Sequence, residues 1–261
     1  TEEQKIRIKE TIKTCLRNKF STYVHQNNEM PFHFRLLGRD RMALYSFMQS
    51  LLTTFGTSIF EPVAAELARG RFARVEMQYV VGNEIYAECQ QKVQAIVNRL
   101  TYDPRPNKNE ELQELRTHLQ GVRNRLKPAK VDLYVQKVNG EQYLFDLKTA
   151  KPNKGDFQKF KQTLLEWAGI AYTLDPSAQI HTLIAIPYNP YAPAPYQFWT
   201  LAGMLDLEEE LKVAESFWDF LGGEGAYQEL LNCFEQAGIE LRPEIDDYFA
   251  RSGTNGVPFV I

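Results

Sequence analysis

The chain of 261 residues is 24% charged and 44% hydrophobic, with 15 Gly, 13 Pro and a net charge of −3, which excludes the disordered and collagen-like classes. Three widely separated cysteines, Cys15, Cys89 and Cys233, offer neither a disulfide framework nor a zinc site, and a chain of this length buries enough surface to fold without either. No run approaches the ~18 apolar residues of a membrane span, Thr1 to Lys9 is charged rather than signal-like, and no P-loop, Rossmann glycine fingerprint, HExxH or GxSxG motif occurs, so a reduced, soluble, cytoplasmic protein is expected.

Residues 5 to 20 place Ile8, Ile12, Cys15, Leu16 and Phe20 at helical spacing, and residues 40 to 55 do the same with Leu44, Met48, Leu51, Leu52 and Phe55. Gly56 is expected to end the second helix, and Ser58 with Glu61 to form a capping box that starts a third. Helical patterns then cover 84 to 101 and 109 to 120, split by the breaker Asp103-Pro104-Arg105-Pro106. From Lys130 the period changes to two. Val131, Leu133 and Val135 alternate with Asp132, Tyr134 and Gln136, Asn139-Gly140 marks a turn, and Gln142 to Lys148 is the returning strand. A helix over about 156 to 172 and a strand from Ile180 to Ile186 follow, then a Pro/Tyr-rich loop from Pro187 to Tyr196. Two helices over 206 to 221 and 224 to 237, stopped by Gly222-Gly223 and Gly238, complete the pattern. Strand, strand, helix, strand is the order of an α/β fold with a mixed central sheet and a crossover helix. The expected organisation is a single domain over 1–261, with a mainly helical part to 120, an α/β core over 121–200 and a helical C-terminal part over 201–261.

Charge is segregated along the chain. Lys5 to Arg41 holds nine Lys/Arg against three Asp/Glu, and Arg123 to Lys161 ten against four, each net +6, whereas 204 to 247 holds thirteen acids and two bases, net −11. Two basic segments in a mildly acidic protein fit either a concave surface that attracts a polyanion or ordinary solvated helix faces.

The constellation that carries chemistry is Asp132, Asp146 and Lys148. An acid two residues before a lysine is uninformative alone, and it also occurs at Glu3 to Lys5 and Glu210 to Lys212. Only the Asp146 copy lies in a strand pattern, where period two puts Asp146 and Lys148 on one face, with a strand-borne acid one hairpin earlier. A two-residue turn would set Asp132 opposite Leu147, on the wrong side of the sheet. A three-residue loop, Val138-Asn139-Gly140 with Gly140 left-handed, sets Asp132 directly opposite Asp146, and that loop is expected. Two carboxylates on one face suit Mg²⁺, an oxygen-seeking ion usually held by one or two carboxylates, waters and phosphate oxygens. Lys148 beside it could position or deprotonate a water and stabilise a pentavalent phosphate. The competing reading is an exposed polar hairpin face, against which stand the apolar neighbours Tyr143, Leu144, Phe145 and Leu147.

Val131-Asp132, then Asp146-Leu147-Lys148 followed by a helix and an apolar strand, resembles the PD-(D/E)XK nuclease superfamily. More narrowly, Gly56 to Glu61, Asp146-Leu147-Lys148-Thr149 to Lys154, Pro187-Tyr188-Asn189-Pro190-Tyr191 and Phe217 to Gly223 look like the TdeIII-type family of type II restriction endonucleases. The resemblance implies a Mg²⁺-dependent homodimer that cuts double-stranded DNA at a short palindromic site, leaving 5′-phosphate and 3′-hydroxyl ends. It implies Asp132, Asp146 and Lys148 as catalytic residues, and Asp132, Asp146 and Leu147 at the metal. Glu61 matches the helix glutamate that often joins that site, with Glu66 a competing choice and a mere helix cap the plainer reading. Lys151, Asn153 and Lys154, followed by Lys159 and Lys161, are candidate phosphate contacts. Tyr188, Asn189 and Tyr191 of the Pro-rich loop are candidate DNA contacts, with Asn189 and Gln197 suited to base edges, although the loop's tyrosines could equally pack internally. Arg35, Arg39 and Arg41 are further candidates for guanine contacts. A repair or junction nuclease on the same core, and a noncatalytic DNA-binding protein, remain alternatives.

Overall fold

The basic N-terminal and acidic C-terminal segments find each other. In the computed structural model, which describes residues 1–23, 31–148, 157–196 and 203–254, Thr1–Glu66 and Gln228–Ile261 make up one compact unit and Leu67–Tyr227 a second. The first unit holds α1 (Glu2–Thr22), α2 (Pro31–Leu37), α3 (Arg39–Thr54), the start of α4 (Glu61–Ala68) and most of α9 (Ala226–Thr254). Along α1, Lys5 pairs with Glu229 at 2.6 Å, Lys9 and Lys13 with Glu240 at 3.1 and 2.6 Å, and Arg17 with Glu244 at 2.6 Å. Four of the six bases of α1 are therefore paired with α9, and Arg7 with Glu3 and Glu66, so most of the positive charge of α1 is met within the unit. Ile8 and Ile12 of α1 are buried, Phe20 stacks on Tyr248 at 4.5 Å, and Phe47 packs tilted on it at 5.0 Å.

Two expected stops fail here. Gly56 does not end a helix: a π-helical turn, Phe55–Phe60, carries the helical path from α3 into α4, with Thr54 and Glu61 both in right-handed helical conformation, so Ser58 and Glu61 do not start a fresh helix through a capping box. Gly238 does not end α9, which continues through Pro243 to Thr254. A mid-helix Gly costs only about 1 kcal/mol, and the pairs at Glu240 and Glu244 lie beyond it.

The second unit is built on a five-stranded sheet in the order β1-β2-β3-β4-β5: β1 (Arg74–Tyr86), β2 (Arg123–Gln136), β3 (Gln142–Leu147), β4 (Ile180–Ile186) and β5 (Leu211–Val213). β1, β2 and β3 are antiparallel neighbours, whereas β3, β4 and β5 run parallel, with α7 (Phe157–Leu174) as the crossover between β3 and β4. This is the mixed α/β sheet expected, and it is consistent with a PD-(D/E)XK nuclease fold. The hairpin register is also the expected one: Leu133 faces Phe145 and Gln136 faces Gln142. Gly140 takes φ +91°, its N–H bonds the Lys137 carbonyl at 3.0 Å, and Glu141 anchors Lys137 and Asn139 around the loop.

β1 and β5 are strands where helix was expected or nothing was assigned. Residues 84 to 86 end β1, so α5 (Ala87–Tyr102) starts later than its pattern suggests, and the span 206 to 221 splits into turns, β5 and α8 (Glu215–Gly222). α5, α6 (Lys108–Arg116) and α7 pack together, with α7 against β1 and β4. Gly82, at a register shift in β1, lets α7 approach: a Cβ there would lie 2.8 Å from Ile170 Cγ2. On the opposite face, Phe145 packs edge-on against Phe217 of α8 and Tyr143 packs on Phe220. The central strand is thus covered on both sides, which is why its sequence is apolar on both faces.

Candidate active site

The three residues singled out by the hairpin pattern converge. Continuing the observed register puts Asp132 of β2 across from Asp146 of β3. There the ladder gives way to a side chain: the main-chain N–H of Leu147 donates to Asp132 Oδ2 at 2.8 Å. Lys148, whose own N–H is tied to the Ala185 carbonyl of β4 at 2.9 Å, returns its Nζ to Asp146 Oδ1 at 2.6 Å and lies 5.3 Å from the Phe160 ring of α7. Asp146 is buried, with 8% of its surface exposed, while the Lys148 side chain keeps 30%. The site therefore opens at the Lys148 end.

Burial pushes the Asp146 carboxyl up to about 6, with the neighbouring Asp132 adding to the shift and Lys148 opposing it. Two carboxylates side by side with one ammonium leave a deficit of positive charge. A divalent cation with oxygen preference would remove it. Among the described residues, no three His, Cys, Asp or Glu side chains gather as a metal cage. The donor set instead fits Mg²⁺, which takes one or two carboxylates and completes its shell with water and phosphate.

Other expected positions fare differently. Glu66 is gripped by Arg7 at 2.5 Å inside the first unit, which gives that rival glutamate a structural task. Glu61 is also buried in the first unit. Lys161 is a correction: it is wholly buried, bonded to Glu210 at 2.6 Å and paired with Glu111, so it cannot lie on a phosphate. Lys159, two residues earlier, is exposed. Lys151, Asn153, Lys154 and Gln197 lie outside the described residues. In the Pro-rich loop, Asn189 donates from Nδ2 to the Ala194 carbonyl at 2.8 Å and accepts from the Tyr191 N–H at 2.9 Å, so its carboxamide shapes the loop. Tyr191 packs edge-on against Tyr196, Tyr188 stays 45% exposed, and Trp218 Nε1 holds the loop's first carbonyl, that of Pro187, at 2.7 Å.

Two features escaped the sequence reading. Gln78 of β1 places its Nε2 3.4 Å from Asp132 Oδ1, and the alternation Val75-Glu76-Met77-Gln78-Tyr79 around it is a strand signal that could have found it. A buried quartet joins Lys108 and Glu111 of α6 with Lys161 of α7 and Glu210 before β5. Lys108 Nζ bonds Glu210 Oε1 at 2.6 Å and Thr182 Oγ1 at 2.7 Å. Burial alone would raise the Glu210 carboxyl, but the two ammonium groups outweigh it and hold it below its ordinary value.

A mixed sheet presenting two acids and a lysine at the end of neighbouring strands defines the class of α/β protein with a nuclease-like site. The chain belongs to the HinfI family of type II restriction endonucleases, whose family model matches residues 1–238. The relatives agree. The type II restriction enzyme HgiCII of Herpetosiphon aurantiacus is 26% identical over 221 residues, covering 82% of this chain and 80% of its own, and HgiEI of the same organism is 27% identical over 224 residues, covering 82% and 79%. The type II restriction enzyme MjaII of Methanocaldococcus jannaschii is 28% identical over 248 residues, covering 82% of this chain and 64% of its own. The broad class expected from the motifs is the class found, while the narrower TdeIII-type likeness gains no support from the family model. No helix among the described residues is long and apolar enough to cross a membrane.

Proposed function

We propose that this chain is a Mg²⁺-dependent PD-(D/E)XK endonuclease that hydrolyses both strands of DNA at a short palindromic site. It works in the cytoplasm as a homodimer, because a two-fold protein matches a two-fold duplex and brings one site to each strand. The observation that carries the reading is the meeting of Asp132, Asp146 and Lys148 at the open end of the hairpin.

Asp132 and Asp146 would hold the ion, with Leu147 able to contribute only its main-chain carbonyl; Glu61 is not needed for that set. Bound there, Mg²⁺ neutralises charge on the phosphate and lowers the pKa of water. Lys148 Nζ, already beside Asp146, would orient the attacking water and, as an ammonium, stabilise the charge that builds on the phosphate, with the water's proton passing to solvent. The water oxygen bonds to phosphorus as the bond to the 3′ oxygen breaks, leaving a 5′-phosphate and a 3′-hydroxyl. Lys151, Asn153 and Lys154, directly after β3, take backbone phosphates, and the loop at Tyr188, Asn189 and Tyr191 faces the duplex with Asn189 fixing its shape.

Incubation with plasmid DNA and Mg²⁺, followed by sequencing of the fragment ends, tests this. Discrete fragments with 5′-phosphates, lost in Lys148→Ala, are expected. Binding without cleavage in Mg²⁺ or Mn²⁺ would favour a noncatalytic DNA-binding protein, and cleavage at branched structures irrespective of sequence would favour a junction nuclease. Sedimentation of the protein in solution tests the dimer.

A further inference from the structure

β1 passes β2 with Met77 opposite Leu133 and Tyr79 opposite Val131, so Gln78 falls across from Asp132. The strand runs on through it, with the register to β2 the same on either side. Gln78 takes φ +54°, the left-handed region, which a non-glycine residue occupies inside a strand only where the surroundings impose it. The residue is exposed, so burial does not account for the strain. Its carboxamide reaches Asp132 Oδ1 at 3.4 Å while the Leu147 N–H occupies Oδ2 at 2.8 Å. The Asp132 carboxylate is therefore met at both oxygens, by a long contact from β1 and a firm main-chain bond from β3. Each oxygen has two lone pairs, so one accepted bond apiece leaves capacity for a cation.

We infer that Gln78 is a positioning residue, whose kinked backbone exists to aim its amide at Asp132 and fix that carboxylate before metal arrives. An Asp side chain is otherwise broad about its terminal torsion, and a ligand already oriented loses less freedom on binding. The inference rests on the reading of Asp132 as a metal ligand.

Gln78→Gly is the informative variant, since glycine accepts the left-handed backbone without strain and removes the amide with the rest of an exposed side chain. Without divalent ions it melts no lower than the wild type. Outer-shell partners typically set metal affinity by about 10–100-fold, so the Mg²⁺ concentration for half-maximal plasmid cleavage rises by about tenfold or more, with a smaller change in the rate at saturating Mg²⁺. The rise in melting temperature on adding Ca²⁺ shrinks as well. Gln78→Asn, which tolerates the backbone but lacks one methylene of reach, behaves like the glycine variant. A half-saturating Mg²⁺ concentration within about twofold of wild type, well below the usual outer-shell effect, overturns the inference, as does an unchanged Ca²⁺ melting shift. If the wild type itself cleaves nothing, the nuclease reading fails instead, and the Ca²⁺ melting shift alone decides whether Gln78 serves a metal site.

Discussion

The second unit contains two clusters of charged side chains built to opposite ends. Lys108, Glu111, Lys161 and Glu210 are two bases and two acids, all closed off from solvent. Asp132, Asp146 and Lys148 are two acids and one base, with the lysine side chain 30% exposed. In the first cluster, Glu210 has an ammonium on each oxygen and stays ionised although buried, while burial raises the Glu111 carboxyl and lowers Lys108. In the second, Asp146 is pushed toward its protonated form. Desolvating a charge costs several kcal/mol unless partners compensate it, so a closed neutral cluster is complete in itself. An open one with a carboxylate too many leaves room for the cation of the proposed function. Charge balance and access, more than charge density, separate the structural ion network from the proposed reactive site.

The largest effect expected from this contrast is on chemistry. Lys148→Ala or Asp146→Asn should lower plasmid cleavage by about 10²–10³-fold or more, the range for loss of one group that stabilises charge in the transition state; residual activity near wild type would remove the site from catalysis. On stability the order reverses. Glu210→Ala leaves two buried ammonium groups without their shared partner and should cost about 3–5 kcal/mol in urea unfolding. Asp146→Asn in metal-free protein removes a carboxylate crowded by burial and by Asp132, and should leave the midpoint unchanged or raise it. Equal losses from the two substitutions would erase the distinction.

Those clusters also mark what the sequence could reveal. The hairpin was legible down to its register because Asn139-Gly140 restricts the turn and the apolar alternation fixes the face, and together these put Asp132 opposite Asp146. β1 was legible only in part, since Val75-Glu76-Met77-Gln78-Tyr79 alternates with period two but Val80-Val81 and the shifts around Gly82 interrupt it before the strand ends. β5 has three residues, Leu211–Val213, and exists through its pairing with β4 rather than through any pattern of its own. Glu210 sits in a run of three glutamates that reads as solvated, and Lys161 occupies a helix position that reads as exposed; only tertiary packing turns them toward each other. Likewise the bases of α1 resembled a polyanion surface until α9 supplied their partners.

The hairpin loop offers the mildest test, an ion pair that is neither buried nor reactive. Glu141 accepts from Lys137 at 2.7 Å, Tyr143 at 2.8 Å and Asn139 at 2.9 Å, and these bonds, Lys137 first, lower its carboxyl from 4.5 to about 2. Because the folded carboxylate binds its proton less tightly than the unfolded one, the stabilisation is fully present above pH 4.5 and disappears as pH falls through about 2. Solvent screens this pair, so its contribution should be small beside that of the buried quartet. Glu141→Gln should lower stability slightly at neutral pH, and the gap from wild type should close as the solution is acidified. A gap that is constant with pH would assign the effect to the loop's hydrogen bonds alone, and one as large as that of Glu210→Ala would mean that burial is not what separates the structural quartet from an ordinary surface pair.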